Sequence, residues 1–231
     1  MSRTIAIIGA MDEEVTLIAR SLTDAVTHAE AGLNVTEGTF AAASGETLHV
    51  VATVAGMGTV NAASTTQHLI DVYAPESVIF SGIAGNLNKD LHINDVVLGG
   101  TLRYLDTDMR LIDQSAPKTD EFHSDPHLLS VAGEALDEMG ITHITGVIAT
   151  GNYFVEGDEN TAKVKAETGA DAVEMEGAAV AHVAARNEVP ALVIRALSDN
   201  ADTEYETFKE LDISVYAETA AKLMMNILGR Q

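Results

Sequence analysis

Short apolar, β-branched runs alternate with amphipathic helical patterns along almost the whole chain, and this alternation limits the fold more than any other property of the sequence. The strand-like runs are Thr4–Gly9, Gly32–Ala42, Thr47–Ala55, Ser77–Ser81, Asp95–Thr101, His143–Thr150, Ala172–Met175 and Ala191–Leu197, bounded by Gly, Pro or Asn. Helical patterns cover Glu13–Leu22, Val60–Tyr73, Pro126–Met139, Glu159–Thr168, Gly177–Asn187 and Ile213–Leu228. The last carries Ile213, Tyr216, Ala217, Ala220, Leu223, Met224 and Ile227 on one stripe. The neighbouring runs around Ser44-Gly45-Glu46 read as a hairpin. Elsewhere the alternation predicts an α/β fold, with a mostly parallel sheet covered by helices on both faces. A length of 231 residues allows one sizeable core, and one domain over 1–231 is the simplest division. There is no internal repeat or linker-like tract. Two connections are long: Asp106–Asp125, a candidate functional or interface loop, and Asp199–Asp212, a candidate lid.

Carboxylates gather where these runs end. Ile8-Gly9-Ala10-Met11-Asp12-Glu13-Glu14-Val15, Val173-Glu174-Met175-Glu176-Gly177 and Arg195-Ala196-Leu197-Ser198-Asp199 each follow an apolar run. In an open α/β sheet the carboxyl ends of the strands line the ligand crevice, so the three clusters are expected to converge. Together they can supply a base, a hydroxyl clamp and an acid, which suits hydrolysis of a sugar derivative. Each also has a plainer explanation. Acids at a helix start interact well with its dipole and free amides, which covers one or two of Asp12, Glu13 and Glu14. Glu174 and Glu176, two apart on a strand, face the same way and need a ligand or cation between them. Arg195 interrupts the most apolar run and calls for a carboxylate partner, with Glu174 or Glu176 the candidates, and a structural ion pair would explain it equally well.

Several function classes drop out. The balance of 13 Lys+Arg against 35 Asp+Glu gives a formal charge of −22, a field that repels phosphate backbones and anionic lipid surfaces. Nucleic acid and membrane are therefore not expected partners. With no cysteine there is no disulfide, thiolate nucleophile or Cys-ligated metal. The N-terminal apolar run is too short for a signal peptide and reads as a first strand; no run approaches membrane-spanning length, and a soluble cytoplasmic protein is expected. Val54-Ala55-Gly56-Met57-Gly58-Thr59-Val60-Asn61 is a Gly-rich turn between strand and helix. Asn61 stands where a dinucleotide fingerprint has Gly or Ala, and the following strand ends without the ribose-binding acid. Its glycines are instead expected to let the backbone approach a small ligand or a neighbouring strand. Ser81-Gly82-Ile83-Ala84-Gly85-Asn86 reads as a tight turn baring amides at a strand end, without the Gly-Lys-Ser/Thr of a triphosphate loop. His123-Ser124-Asp125-Pro126-His127 reads as a solvated helix start rather than a metal site, and no Gly-x-Ser-x-Gly elbow occurs.

Taken in order, these stretches resemble the 5′-methylthioadenosine/S-adenosylhomocysteine nucleosidase family over roughly residues 3 to 228. The most specific pieces are Ile7-Ile8-Gly9-Ala10-Met11-Asp12-Glu13-Glu14, Val173-Glu174-Met175-Glu176 and Arg195-Ala196-Leu197-Ser198-Asp199. The resemblance implies a nucleoside phosphorylase-like single α/β domain, with a mixed central sheet flanked by helices and distorted toward a barrel. It also implies a homodimer acting on small adenine thionucleosides in the methionine salvage route, with no metal or organic cofactor. By resemblance, Glu14 is the base that activates water and Asp199 the acid that protonates adenine N7. Glu176 would hold the ribose hydroxyls with Met175 beside the sugar. Phe154 would stack on adenine while the Val155 backbone meets its edge. Ser198 would orient Asp199, Ala84 and Gly85 would line the site, and Phe208 would cover the ligand from the lid. Met109 and Ile112 align with positions reaching the alkylthio pocket of a neighbouring subunit. The chain departs from the common pattern at Ile83, where many members have Ser, at Asn152, where an acid is common, and at Ile112, where an aromatic is common.

The chemistry explains why carboxylates are needed. Breaking an N-glycosidic bond builds oxocarbenium-like charge on the sugar, and adenine leaves readily only when protonated. A carboxylic acid with an ordinary pKa of about 3.9 is mostly ionised at neutral pH, so burial or hydrogen bonding must favour the protonated form. A second carboxylate can take a proton from water and favour the sugar cation. Phosphate, the nucleophile of a phosphorylase, needs arginines and amides, whereas the first strand ends in Asp12-Glu13-Glu14, so water is expected. The nearest alternatives are a phosphorylase or a hydrolase of another adenine nucleoside, such as an aminofutalosine-type substrate. A third is a silent nucleoside-binding protein.

Overall fold

The computed structural model describes residues 3–9, 12–201 and 214–231, apart from the side chains of Glu14 and Val215. One sheet of nine strands organises them, in the order β2-β3-β4-β1-β5-β8-β7-β6-β9. The strands are β1 (Thr4–Gly9), β2 (Thr23–Glu30), β3 (Leu33–Ala41), β4 (Thr47–Val54), β5 (Ser77–Asn86), β6 (Val96–Tyr104), β7 (His143–Thr150), β8 (Ala172–Glu174) and β9 (Ala191–Asp199). The helices are α1 (Asp12–Arg20), α2 (Thr59–Tyr73), α3 (Met109–Ile112), α4 (Pro126–Met139), α5 (Asp158–Thr168), α6 (Gly177–Arg186) and α7 (Ser214–Gly229).

The central strands carry continuous apolar runs because both faces are covered. Ile5 and Ile7 of β1 face a core with Ile18 of α1 and Leu223, Met224 and Ile227 of α7. Ala6 and Ile8 face the opposite core with Leu69 of α2 and Val180 of α6. This two-residue alternation between two dry layers gives a continuous run rather than a polar–apolar one. Among the described residues, no helix is long and apolar enough to cross a membrane.

The sheet is mixed, with five parallel pairings and four antiparallel ones. Parallel pairing therefore predominates only narrowly. The hairpin expected at Ser44-Gly45-Glu46 is β3–β4, closed by the Ala42 amide donating to the Glu46 carbonyl at 2.9 Å. β5 is the branch point. It runs parallel to β1 and β9, while Gly85 and Asn86 pair antiparallel with β8. The series β8-β7-β6-β9 then returns to β5 and curls that half of the sheet toward a barrel.

Three local expectations are corrected. The segment Ser81–Asn86 is not a turn: β5 continues through it, because its small residues admit neighbours on both sides. β2 was not expected, since Thr23–Glu30 has no apolar alternation and Val26 is 63 % exposed. It exists as an edge strand carried by its ladder to β3. β8 stops at Glu174, so Glu174 and Glu176 do not share a strand face, and Glu176 instead precedes α6 with φ −138° and ψ −38°. The start of α4 matches expectation: the Asp125 side chain caps it by accepting from the His127 and Leu128 amides, with Pro126 in its first turn.

Candidate active site

The parallel strands β1, β4, β5 and β9 deliver their carboxyl ends to one side of the molecule. A cavity of about 330 Å³ lies there, walled by the end of β5, the turn after β4, the turn after β7, the β8–α6 turn and the end of β9. Its position follows the general rule for ligand crevices in such sheets.

Asp199 is the last residue of β9 and is only 5 % exposed. Its Oδ1 accepts from the Ala201 amide at 2.7 Å and its Oδ2 lies 2.8 Å from Ser198 Oγ. Ser198 Oγ is also 3.3 Å from the Ala84 carbonyl oxygen. One hydroxyl proton thus serves two acceptors when Asp199 is ionised. The approach depends on Gly85, where a Cβ would meet Ala201 Cβ at 3.1 Å and Asp199 Oδ1 at 3.3 Å. Tyr216 of α7 donates to the Ser198 carbonyl at 3.3 Å, and burial, then the charge of Asp199, pushes its phenol up from the usual value.

In the same cavity lining, Glu174 and Glu176 share a cation, as their like charge requires. Arg195 is fully buried; its Nη2 lies 2.5 Å from Glu174 Oε2 and 3.7 Å from Glu176 Oε2. Its guanidinium carbon sits 4.1 Å from the centre of the Phe80 ring. Glu174 also accepts from the Glu176 amide at 2.9 Å, the Gly177 amide at 2.7 Å and the Thr150 hydroxyl. The chain folds back over its own carboxylate here, and Gly177 makes room: a Cβ would lie 3.2 Å from Glu174 Oε2. Glu176 Oε1 accepts from the Gly58 amide at 2.7 Å. The Gly56-Met57-Gly58 turn was expected to approach a small ligand or a neighbouring strand; its Gly58 amide, at φ 97°, meets the Glu176 side chain instead.

Of the residues singled out from sequence, Ala84, Gly85, Phe154, Val155, Met175, Glu176, Ser198 and Asp199 line this one cavity. Phe208 and nearly all of the Asp199–Asp212 lid candidate lie outside the described residues, as does the Glu14 side chain. The backbone of residue 14 is in the first turn of α1, just beyond β1, whose Gly9 is paired with Val54 and Ser81. Met109 and Ile112 form the ends of α3 and are not among the described residues on the cavity wall. Met57 and Tyr153 were not expected there, and Ile83 and Asn152 had been noted only as departures from a pattern. Met57 and Tyr153 are 54 % and 46 % exposed, and single exposed apolar side chains are ordinary, so nothing in the sequence marks them. Thr150, fully buried, was also missed; the signal available was a polar residue closing an apolar strand.

The sequence matches the phosphorylase superfamily over residues 4–229. The 5′-methylthioadenosine/S-adenosylhomocysteine nucleosidase of Bacillus velezensis is 35 % identical over 233 residues, covering 98 % of each chain. Among solved structures, the nucleosidase of the same description from Colwellia psychrerythraea, in complex with adenine, superposes with a TM-score of 0.89 at 33 % identity. That match covers 100 % of this chain and 96 % of that one. Futalosine hydrolase of Helicobacter pylori is equally similar, with a TM-score of 0.89, 32 % identity, and 100 % and 99 % of the two chains covered. With a family match over nearly its full length, and a relative of this identity and coverage, the chain belongs to the 5′-methylthioadenosine/S-adenosylhomocysteine nucleosidase family of the phosphorylase superfamily.

Proposed function

We propose that this chain hydrolyses the N-glycosidic bond of 5′-methylthioadenosine and S-adenosylhomocysteine, releasing adenine and the 5′-thio-substituted ribose. The observation that carries the reading is the placement of two buried carboxylates, Asp199 and Glu176, in the lining of one cavity together with the Tyr153-Phe154-Val155 segment. Asp199 delivers a proton to adenine N7 as the bond breaks, so the base departs neutral. The Ser198 hydroxyl, which donates to Asp199 Oδ2 at 2.8 Å, holds the acid in orientation. Glu176, fixed by the Gly58 amide and Arg195, accepts from the ribose hydroxyls, with Met175 against the sugar. Phe154 stacks on the base, the Val155 backbone bonds its edge, and Phe208 covers the ligand. Glu14 takes the proton from the attacking water, and its charge favours the cationic sugar.

Water rather than phosphate is the nucleophile in this reading, despite the superfamily's name. Asp12, Glu13 and Glu14 follow β1 in immediate succession, and their charge opposes a phosphate dianion there. The likeness to futalosine hydrolase favours one second reading: a related nucleoside with a different 5′ group as an additional or preferred substrate. We further place the protein in the cytoplasm and in methionine salvage, as a homodimer in which Met109 and Ile112 reach the partner's alkylthio pocket. Exposed Met57 and Tyr153 at the cavity and exposed Leu111 on α3 supply apolar surface for such pairing.

Adenine release from 5′-methylthioadenosine by the purified protein in phosphate-free buffer tests the activity. Rapid release without phosphate is expected. Release only on adding phosphate would make the enzyme a phosphorylase, and release only from an aminofutalosine-type nucleoside would move the assignment to the second reading. Light scattering checks the dimer, for which twice the 24.3 kDa chain mass is expected.

A further inference from the structure

Helix α2 starts without a cap of its own. Its N-cap residue is Gly58, which has no side chain to accept from the free amides of the first turn. Two of those amides are satisfied from elsewhere. The Gly58 amide donates to Glu176, as described, and the Thr59 amide donates to Asn152 Oδ1 at 3.1 Å. The Thr59 hydroxyl donates to the same Asn152 oxygen at 2.8 Å. Asn152 is distant in sequence and precedes Tyr153-Phe154-Val155, the cavity segment assigned to the base.

The other half of the Asn152 amide faces a carboxylate. Asp106 Oδ2 accepts from the Asn152 backbone amide at 2.8 Å and lies 3.5 Å from Asn152 Nδ2. Asn152 is thus an acceptor toward α2 and a donor toward Asp106. An aspartate at the same place could serve only the first, and would set two carboxylates against each other. Asp106 lies in the connection between β6 and α3, so three segments meet at one side chain.

We propose that Asn152 is a positioning residue: by capping α2 from a distance, it locks the segment that receives the base to the helix start whose Gly58 amide holds Glu176. The distance between the base end and the sugar end of the cavity is then set by two adjacent amides, one bonded to each end. The inference rests on the nucleosidase reading of the cavity. It assigns Asn152 no contact with substrate; its effect runs through Phe154, Val155 and Glu176. Misplacing either end shifts the acid relative to the bond it must break, which appears in kcat more than in KM.

The test compares the wild-type protein with Asn152→Ala, Asn152→Asp and the exchange Asn152→Asp with Asp106→Asn. Because Asn152 is exposed, folding should survive, and thermal midpoints are recorded to check it. Both single variants should lose roughly tenfold in kcat/KM for 5′-methylthioadenosine, mainly in kcat, while affinity for free adenine changes by less than about twofold. The exchange restores a donor opposite an acceptor and should return activity to within about threefold of wild type. Single variants as active as wild type, or an exchange no better than Asn152→Asp, would overturn the proposal. Amide hydrogen exchange gives a readout independent of turnover: Thr59 should exchange faster in Asn152→Ala by roughly tenfold, and an unchanged rate also overturns the proposal. If the wild-type chain releases no adenine from any nucleoside, the reading of the activity fails, and the exchange rate at Thr59 alone decides the role of Asn152.

Discussion

Two clusters of charged side chains in this molecule are built from similar residues and behave differently. In the first, Arg195, Glu174 and Glu176 have side chains between 0 % and 7 % exposed. In the second, at the sheet edge, the ion-paired side chains of His28, Glu30, Glu37, His49 and His68 are between 23 % and 36 % exposed. Each Arg195-centred carboxylate is also bonded by backbone amides, which fixes its position as well as compensating its charge. The edge cluster has side-chain partners: Tyr73 donates to Glu30 at 2.7 Å, and His68 lies 3.0 Å from the same oxygen. Water can replace any of those partners, so losing one costs little. No water reaches the space around Arg195 as freely, so removing a partner there strands a charge. Glu176, assigned to the ribose in the proposed function, is in the first kind of cluster, where a carboxylate is held in one fixed place.

The comparison can be sharpened from the largest effect downward. Asp199→Asn should lower turnover by roughly 10²–10⁴-fold with little change in folding stability, and Glu14→Gln should behave alike. Steady-state adenine release and a denaturant midpoint separate the two quantities. Near-normal turnover in a folded variant would remove that residue from the mechanism. Arg195→Met keeps the volume and deletes the cation; it should cost about 3–5 kcal/mol of stability by urea denaturation, because Glu174 and Glu176 then face each other unscreened. Adding Glu174→Gln should recover a large part of that loss. If Arg195→Met were as stable as wild type, the contrast between buried and edge clusters would collapse.

The smallest effect belongs to the edge. The Tyr73 hydrogen bond, then His68, holds the Glu30 carboxyl below its ordinary pKa of 4.5. A depressed folded value means its contribution is present above pH 4.5 and lost as pH falls through the lowered value. Because the group is partly solvated, that contribution should stay below about 1 kcal/mol. Glu30→Gln should therefore change stability little at pH 7 and flatten its decline between pH 5 and 3, relative to wild type by roughly that amount. A loss as large as that of Arg195→Met would show that exposure is not what distinguishes the clusters.

How much could be read without coordinates varied with what each segment buries. β1, β4 and β9 were legible because each carries a run of Ile, Val, Leu and Ala that packs between two apolar layers. β2 was not, since its register comes from β3 and its side chains have no dry face to advertise. The glycines of Ser81–Asn86 suggested a turn, yet they serve close packing: Gly85 leaves room for Asp199. In the candidate site, the carboxylates announced themselves by gathering at strand ends. The bonds that place them did not. Nothing near Glu176 in sequence points to the Gly58 amide, 118 residues away, nor does anything near Asn152 point to Thr59.

The sequence by itself determined the layered α/β plan, the apolar interior and the residue types available for acid–base chemistry, because periodicity and composition are local properties of the chain. The tertiary structure alone decided which carboxylates meet, which is neutralised by Arg195 and which is left to face the cavity. Those outcomes depend on backbone amides and a single guanidinium brought together from distant segments. Their hydrogen bonds are directional over about 3 Å, so they can be chosen only after packing has fixed where the segments lie.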